Sequence, residues 1–356
     1  MHHDGAVRDP RKKPHDRLDP ANNTNKGLHE MEMKNRTIGS SRRGEQQERN
    51  KGSAIRHLLM FPLTRLLIAM AVIAPLALLP GYGAMALLNV PQGTSLMRFY
   101  FEHPTLAASI QGIAVVGALV FVGKVIERRP LSAFGLGLRG VGSETAKGFA
   151  LGAAMMVAII GFLALVGWYD ITSMSFSQPA VWKAMVGGLG LFLAVAIFEE
   201  VMFRGILFRI VEEGIGSWAA LAVTAFLFGY MHLSNPNATL FGALGVALAG
   251  ILYAAGYMLT RNLWLVIGLH WSWNFVQGVI FGVPVSGRSL DGGPISETIV
   301  GPQLWTGGAF GVEAGLVAYV VNAAVSVVLL VLVVRRGKIM TPRWMRRGIN
   351  KRSARV

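Results

Sequence analysis

The sequence predicts an all-α membrane protein: a polytopic bundle of about eight transmembrane helices with both termini in the cytoplasm. Three observations predict it. The 356-residue chain is 53% hydrophobic and 15% charged, against about 25% charged residues in soluble domains. Its apolar residues gather into runs of about 20, the length a helix needs to cross hydrocarbon. Its basic residues fall between alternate runs, as the positive-inside rule requires.

Residues 1–57 are rich in Arg, Lys, Asn, His and Asp and carry no apolar period. They are expected to form a disordered basic tail. They do not read as a secretory signal, because no short apolar stretch with a small-residue cleavage site follows a brief basic start. The bundle is predicted over 58–336, with spans near 59–79, 105–123, 146–168, 184–208, 218–233, 239–259, 263–282 and 312–334. Pro75 and Pro80 would kink or end the first span. A second basic tail follows over 337–356. Both tails are suited to anionic lipid, at about 1 kcal/mol per basic residue near the surface. The stretch Glu127–Leu136 reads as a basic interfacial segment, and the Gly/Pro-rich 283–311 as an external linker.

Charge orients the spans. With the N-terminus inside, the inner segments carry Lys124, Arg128, Arg129, Arg139, Lys147, Arg209, Arg261, Arg335, Arg336 and Lys338, and the outer loops carry Arg98, Lys183 and Arg288. Eight spans keep both basic tails on the inner side. The net charge of +15 therefore belongs to tails and loops. With no helix-turn-helix, zinc-finger or RNP pattern, no nucleic-acid partner is expected. The chain has no cysteine, which excludes disulfides, thiolate nucleophiles, thiolate-ligated metals and lipidation of its own cysteines.

One stretch departs from the apolar pattern: Glu199-Glu200-x-x-x-Arg204 within the fourth span. Ionisable groups in hydrocarbon are costly and default to a functional reading. Glu200 and Arg204 share a face at i,i+4 and can pair; Glu199 points about 100° away and needs a partner from another helix. Two histidines also lie in apolar runs. His232 closes Phe228-x-x-x-His232, and His270 shares a face with Asn274. At about 1.5 Å per residue, Glu199 lies ~15 Å in from Arg209, His270 ~13 Å from Arg261 and His232 ~20 Å from Trp218, so one cluster is possible.

No nucleophilic side chain accompanies this set, which leaves water. A buried carboxylate paired with an imidazole can take a proton from water, and a second His with an Asn amide can donate to a tetrahedral oxyanion. Together these are the parts of an amide-bond hydrolase. Zinc is the competing assignment, held by Glu199, His232 and His270, although His-Glu-x-x-His is absent. A proton-coupled transporter using the cluster as a relay, and a non-catalytic immunity or scaffold module, are the alternative functions.

Glu199-Glu200-x-x-x-Arg204, Phe228-x-x-x-His232 and His270-x-x-x-Asn274, in this order on successive membrane helices, resemble the CPBP family of CAAX-processing and bacteriocin-processing proteases. This is also called the Abi family, or the type II CAAX prenyl endopeptidases. Arg129-Pro-Leu-Ser-Ala-Phe-Gly-Leu136 is similar to the segment that often precedes its core, so the resemblance covers roughly 125–282. It implies an eight-helix fold and a glutamate-type intramembrane endopeptidase, once regarded as a metalloprotease, with no cofactor required. By position, Glu199 would activate water with His232, His270 and Asn274 would form the oxyanion site, and Glu200 and Arg204 would support it. The implied partners are a membrane-associated or lipidated protein substrate and the bilayer. The implied location is the cytoplasmic membrane of a bacterium.

Overall fold

A computed structural model of the chain describes Met33 and residues 58–345. The predicted disorder of 1–57, apart from Met33, and the tail beyond 345 fall outside the described residues. The chain divides into a unit of residues 1–58, where Met33 and Leu58 are exposed and helical, and a unit of residues 59–356.

The second unit is a helical bundle. Seven of its helices are long and apolar enough to cross a membrane: α1 (Pro62–Leu87), α2 (Pro104–Glu127), α3 (Val141–Leu165), α4 (Pro179–Ile215), α5 (Ser217–Ser234), α6 (Leu240–Thr260) and α8 (Leu316–Arg335). An eighth, α7 (Leu263–Phe275), continues as a π-helical turn over Val276–Ile280. It corresponds to the seventh predicted span, but His270, Asn274 and Gln277 make it too polar to stand with the others.

Local chemistry sets several of the boundaries. Helices α1, α2 and α4 each begin with proline in the first turn, where its missing N–H costs nothing. Thr239 caps α6 by accepting from the Gly242 N–H, and Asn262 caps α7 by accepting from the Trp264 N–H. Pro75 and Pro80 lie inside α1 and do not end it. Helix α4 runs for 37 residues, well past the predicted end at 208, and is π-wound over Val201–Phe208. Arg209, expected in a loop, therefore lies within a helix.

The bundle is most tightly closed where α7 meets α3. A Cβ on Gly148 would overlap the Leu265 carbonyl oxygen, one on Gly152 the Leu269 carbonyl, and one on Gly268 the Thr145 carbonyl. Small residues let the two backbones approach this closely. The contact holds α7, and with it His270 and Asn274, against the bundle. Helix α6 is the most enclosed of the seven, with 61% of its apolar window buried against 17% for α1.

The bundle is all-α apart from a small antiparallel ribbon outside the spans, β1 (Tyr169–Met174) paired with β2 (Ile295–Ile299). The stretch 283–311 is not a loose linker. The Gly287 N–H donates to Phe310 O, Asn235 Nδ2 to Ser286 O and Gln277 Nε2 to Pro284 O. In the segment read as interfacial, Phe134 is fully buried, with the Arg209 guanidinium 4.5 Å from its ring centre, while Arg128, Arg129 and Pro130 are exposed.

Candidate active site

The site is assembled where α4, α6 and α7 meet, with the end of α5 beside them. Glu200 is fully buried, and its Oε1 accepts from Arg204 Nη1 at 2.9 Å and faces His270 Nδ1 at 2.8 Å. Arg204 is itself buried and donates its Nη2 to Gly250 O at 2.9 Å. Its guanidinium lies between aromatic faces, 4.8 Å from the Phe228 centroid and 5.1 Å from that of Tyr253. Flat, weakly hydrated guanidinium suits this mixture of directional donation and stacking better than lysine would.

Tyr253 also stacks on His270, with ring centroids 4.7 Å apart and planes 12° from parallel. The imidazole is thus held on one face by Tyr253 and on one nitrogen by Glu200. Its other nitrogen, Nε2, faces Glu199 Oε2 at 3.9 Å. Held on one face and at one nitrogen, the ring is fixed in orientation.

Glu199 differs from its neighbour. Its side chain is 17% exposed against 0% for Glu200. Its Oε2 has no hydrogen-bond partner among the described residues. The two carboxylates therefore divide in environment: Glu200 is fully buried and holds Arg204 and His270 on Oε1, whereas Glu199 is partly exposed and holds no hydrogen bond; the Oε2 of each is unpartnered among the described residues. That neighbouring positions on one helix point to different surroundings follows from their ~100° separation.

His232, on the one-turn helix His232–Ser234 that ends α5, is partly buried. Its Nδ1 lies 2.8 Å from Phe228 O, which leaves Nε2 for other partners. The Phe228 ring lies 4.9 Å from His232 and 6.3 Å from His270, edge-on to the latter. Asn274 is buried one turn beyond His270 and makes no hydrogen bond through its amide among the described residues. The structure thus joins Glu199, Glu200, Arg204 and His270 by direct polar contact or near approach. It brings His232 to them through Phe228, and carries Asn274 on the His270 helix.

Among the described residues no three His, Asp or Glu side chains are grouped closely enough to hold a metal ion; the Nδ1 atoms of His232 and His270 face Phe228 O and Glu200, which leaves each Nε2 as the open ring nitrogen.

Several participants escaped sequence reasoning. Tyr253 and Gly250 lie on α6, a helix with no acidic, basic or histidine side chain before Arg261. Two tyrosines one turn apart, Tyr253 and Tyr257, were its main polar signal. Glu313 was missed altogether. Glu127, Glu212 and Glu313, outside the predicted spans or at the edge of one, are buried as well.

No curated protein and no solved structure matches the chain. A family model described as Rce1-like, type II CAAX prenyl endopeptidase Rce1-like, matches residues 181–276. That interval contains Glu199, Glu200, Arg204, His232, His270 and Asn274, and the family is one of proteases. The segment that builds the site is thus similar to the type II CAAX prenyl endopeptidase Rce1-like family.

Proposed function

We propose that the chain is an intramembrane endopeptidase that hydrolyses a peptide bond of a membrane-associated or lipidated protein, using water activated by Glu199 and no metal. One observation carries this reading: of two adjacent carboxylates, Glu200 is closed from solvent and holds Arg204 and His270, whereas Glu199 is partly exposed and holds no hydrogen bond among the described residues, beside an oriented histidine. A base needs a free lone pair within reach of the proton it removes, and of the two carboxylates only Glu199 is open to solvent.

Water held by Glu199, with His232 sharing its second proton, attacks the carbonyl carbon. The C–O bond forms as the carbonyl becomes an oxyanion. Asn274 donates to that oxyanion, as does His270 Nε2 when protonated; these donors act where charge develops. Glu199 then returns the proton to the amide nitrogen as the C–N bond breaks. Glu200 and Arg204 touch no reacting atom. They hold His270 and the π-wound stretch of α4 that follows Glu199. We place both termini, and the Arg209 and Arg261 ends of the helices, on the cytoplasmic side, since the basic residues gather there.

The test is cleavage of an internally quenched prenylated CAAX peptide by the full-length protein in nanodiscs. Expected results are cleavage by the wild type, none by Glu199→Gln at equal folded yield, and no loss after dialysis against a chelator. Undiminished cleavage by Glu199→Gln would sink the reading. A cellular phenotype that needs Glu199 without any cleaved product would favour a proton relay.

A further inference from the structure

Glu313 lies beyond the matched segment and outside every spanning helix, on the one-turn helix Val312–Ala314 that precedes α8. It is buried, and its Oε2 accepts from Ser286 N at 2.6 Å and from Ser286 Oγ at 3.0 Å. Ser286 in turn offers its carbonyl to Asn235 Nδ2 at 3.2 Å. The Asn235 N–H donates to His232 O at 3.1 Å. An unbroken run of hydrogen bonds thus links Glu313 to the backbone of His232.

The seat is close-fitting. A Cβ on Gly287 would overlap Pro236 O, one on Gly311 Pro284 O, and one on Gly245 the carbonyl oxygen of Glu313 itself. Ser286 stands at φ 47°, a left-handed conformation that a serine holds only when its surroundings impose it, at about 1–3 kcal/mol. Burial pushes the Glu313 carboxyl above the ordinary carboxylate range. The two Ser286 bonds draw it back, with His232 and His270 acting in the same direction. A side chain needed only for packing would not require a buried carboxylate whose bonds lead back to His232.

We propose that Glu313 is a positioning residue for His232: acting through Ser286 and Asn235, it braces the turn that carries the imidazole. This rests on the endopeptidase reading for its catalytic consequence, but the brace itself is testable without substrate. Full-length protein labelled with 13Cε1-histidine is placed in nanodiscs, and the His232 resonance is assigned by its loss in His232→Asn. Glu313→Ala should shift and broaden that resonance and leave His103 unmoved. Glu313→Gln, which keeps an oxygen for both Ser286 donors, should restore it. In the peptide assay Glu313→Ala should lower kcat by about tenfold or more with KM unchanged, and Glu313→Gln should recover it.

An unshifted His232 in Glu313→Ala overturns the proposal. So does a Glu313→Gln protein as deranged as Glu313→Ala, which would assign the role to charge. Where Glu313→Ala fails to fold, Ser286→Ala and Asn235→Ala remove the middle links; an unmoved His232 in both overturns the brace. If His232 responds but wild-type protein never cleaves the peptide, the brace stands and the endopeptidase reading falls.

Discussion

Helix α4 carries two clusters of charge, built to different ends. Around its last turns, Arg209 grips both Glu127 oxygens at 2.9 Å, and Arg65 reaches Glu127 at 3.1 Å and Glu213 at 2.6 Å. Arg129 lies 3.6 Å from Glu213. Arg261 pairs with Glu212, which also accepts from Ser217. Every carboxylate oxygen there has a cation. Only ten residues earlier, Glu200 Oε1 is the one oxygen of four that accepts a hydrogen bond among the described residues. A saturated cluster joins helices and leaves nothing to react; an unsaturated one leaves a base. Charge count alone does not separate structural from chemical roles, but the number of unfilled lone pairs does.

That contrast can be broken at several points. The largest effect should follow Glu199→Gln, with cleavage falling about 10²–10⁴-fold while the folded yield, read by size-exclusion chromatography, stays put. In the saturated cluster Arg209→Ala should do the reverse. Removing one partner of a buried ion pair costs about 3–5 kcal/mol, so the thermal midpoint should drop while turnover per folded molecule holds. Should Arg209→Ala abolish turnover in protein of wild-type stability, the division of labour described above is wrong.

Arg204→Lys sits between these extremes. It keeps the charge but gives up the fork to Glu200 and Gly250 and the stacking on Phe228. A loss of about 1–3 kcal/mol divided between melting temperature and kcat is expected.

The smallest effect concerns Glu297, a carboxylate in neither cluster. Burial raises its pKa above 4.5, so the folded state binds the proton more tightly than the unfolded one. Stability should therefore decline as pH climbs from 4.5 through the raised value. Glu297→Gln should flatten that slope in a pH series of melts, and a slope that survives the substitution would move the cause elsewhere.

Much of this was legible in the chain. Apolar run length gave the helices, and i,i+4 spacing gave the Glu200–Arg204 pair and the shared helix of His270 and Asn274. What was not legible depends on partners distant in sequence. Arg209 read as a charge beyond the end of the fourth span because its partner Glu127 lies on another helix, and the 37-residue α4 looked shorter for the same reason. The β1–β2 ribbon joins two short segments that flank four helices, and neither alternates clearly enough to announce a strand. Tyr253 and Glu313 lie outside the three motifs. Their closeness to His270 and His232 is a product of packing, which no local pattern encodes.

The backbone-close seam of α3 and α7 has a consequence for how mutational scans of this protein should be interpreted. Gly148, Gly152 and Gly268 carry no functional group, yet at each a single added methyl would strike a carbonyl on the opposing helix. Scored by activity alone, saturation mutagenesis would rank these glycines beside Glu199 and invite a catalytic label. Scored for abundance in the same library, they should separate cleanly: the glycine variants depleted from the membrane, the Glu199 variants retained. If all four lost activity at full abundance, the seam would be tuning the site rather than holding it together.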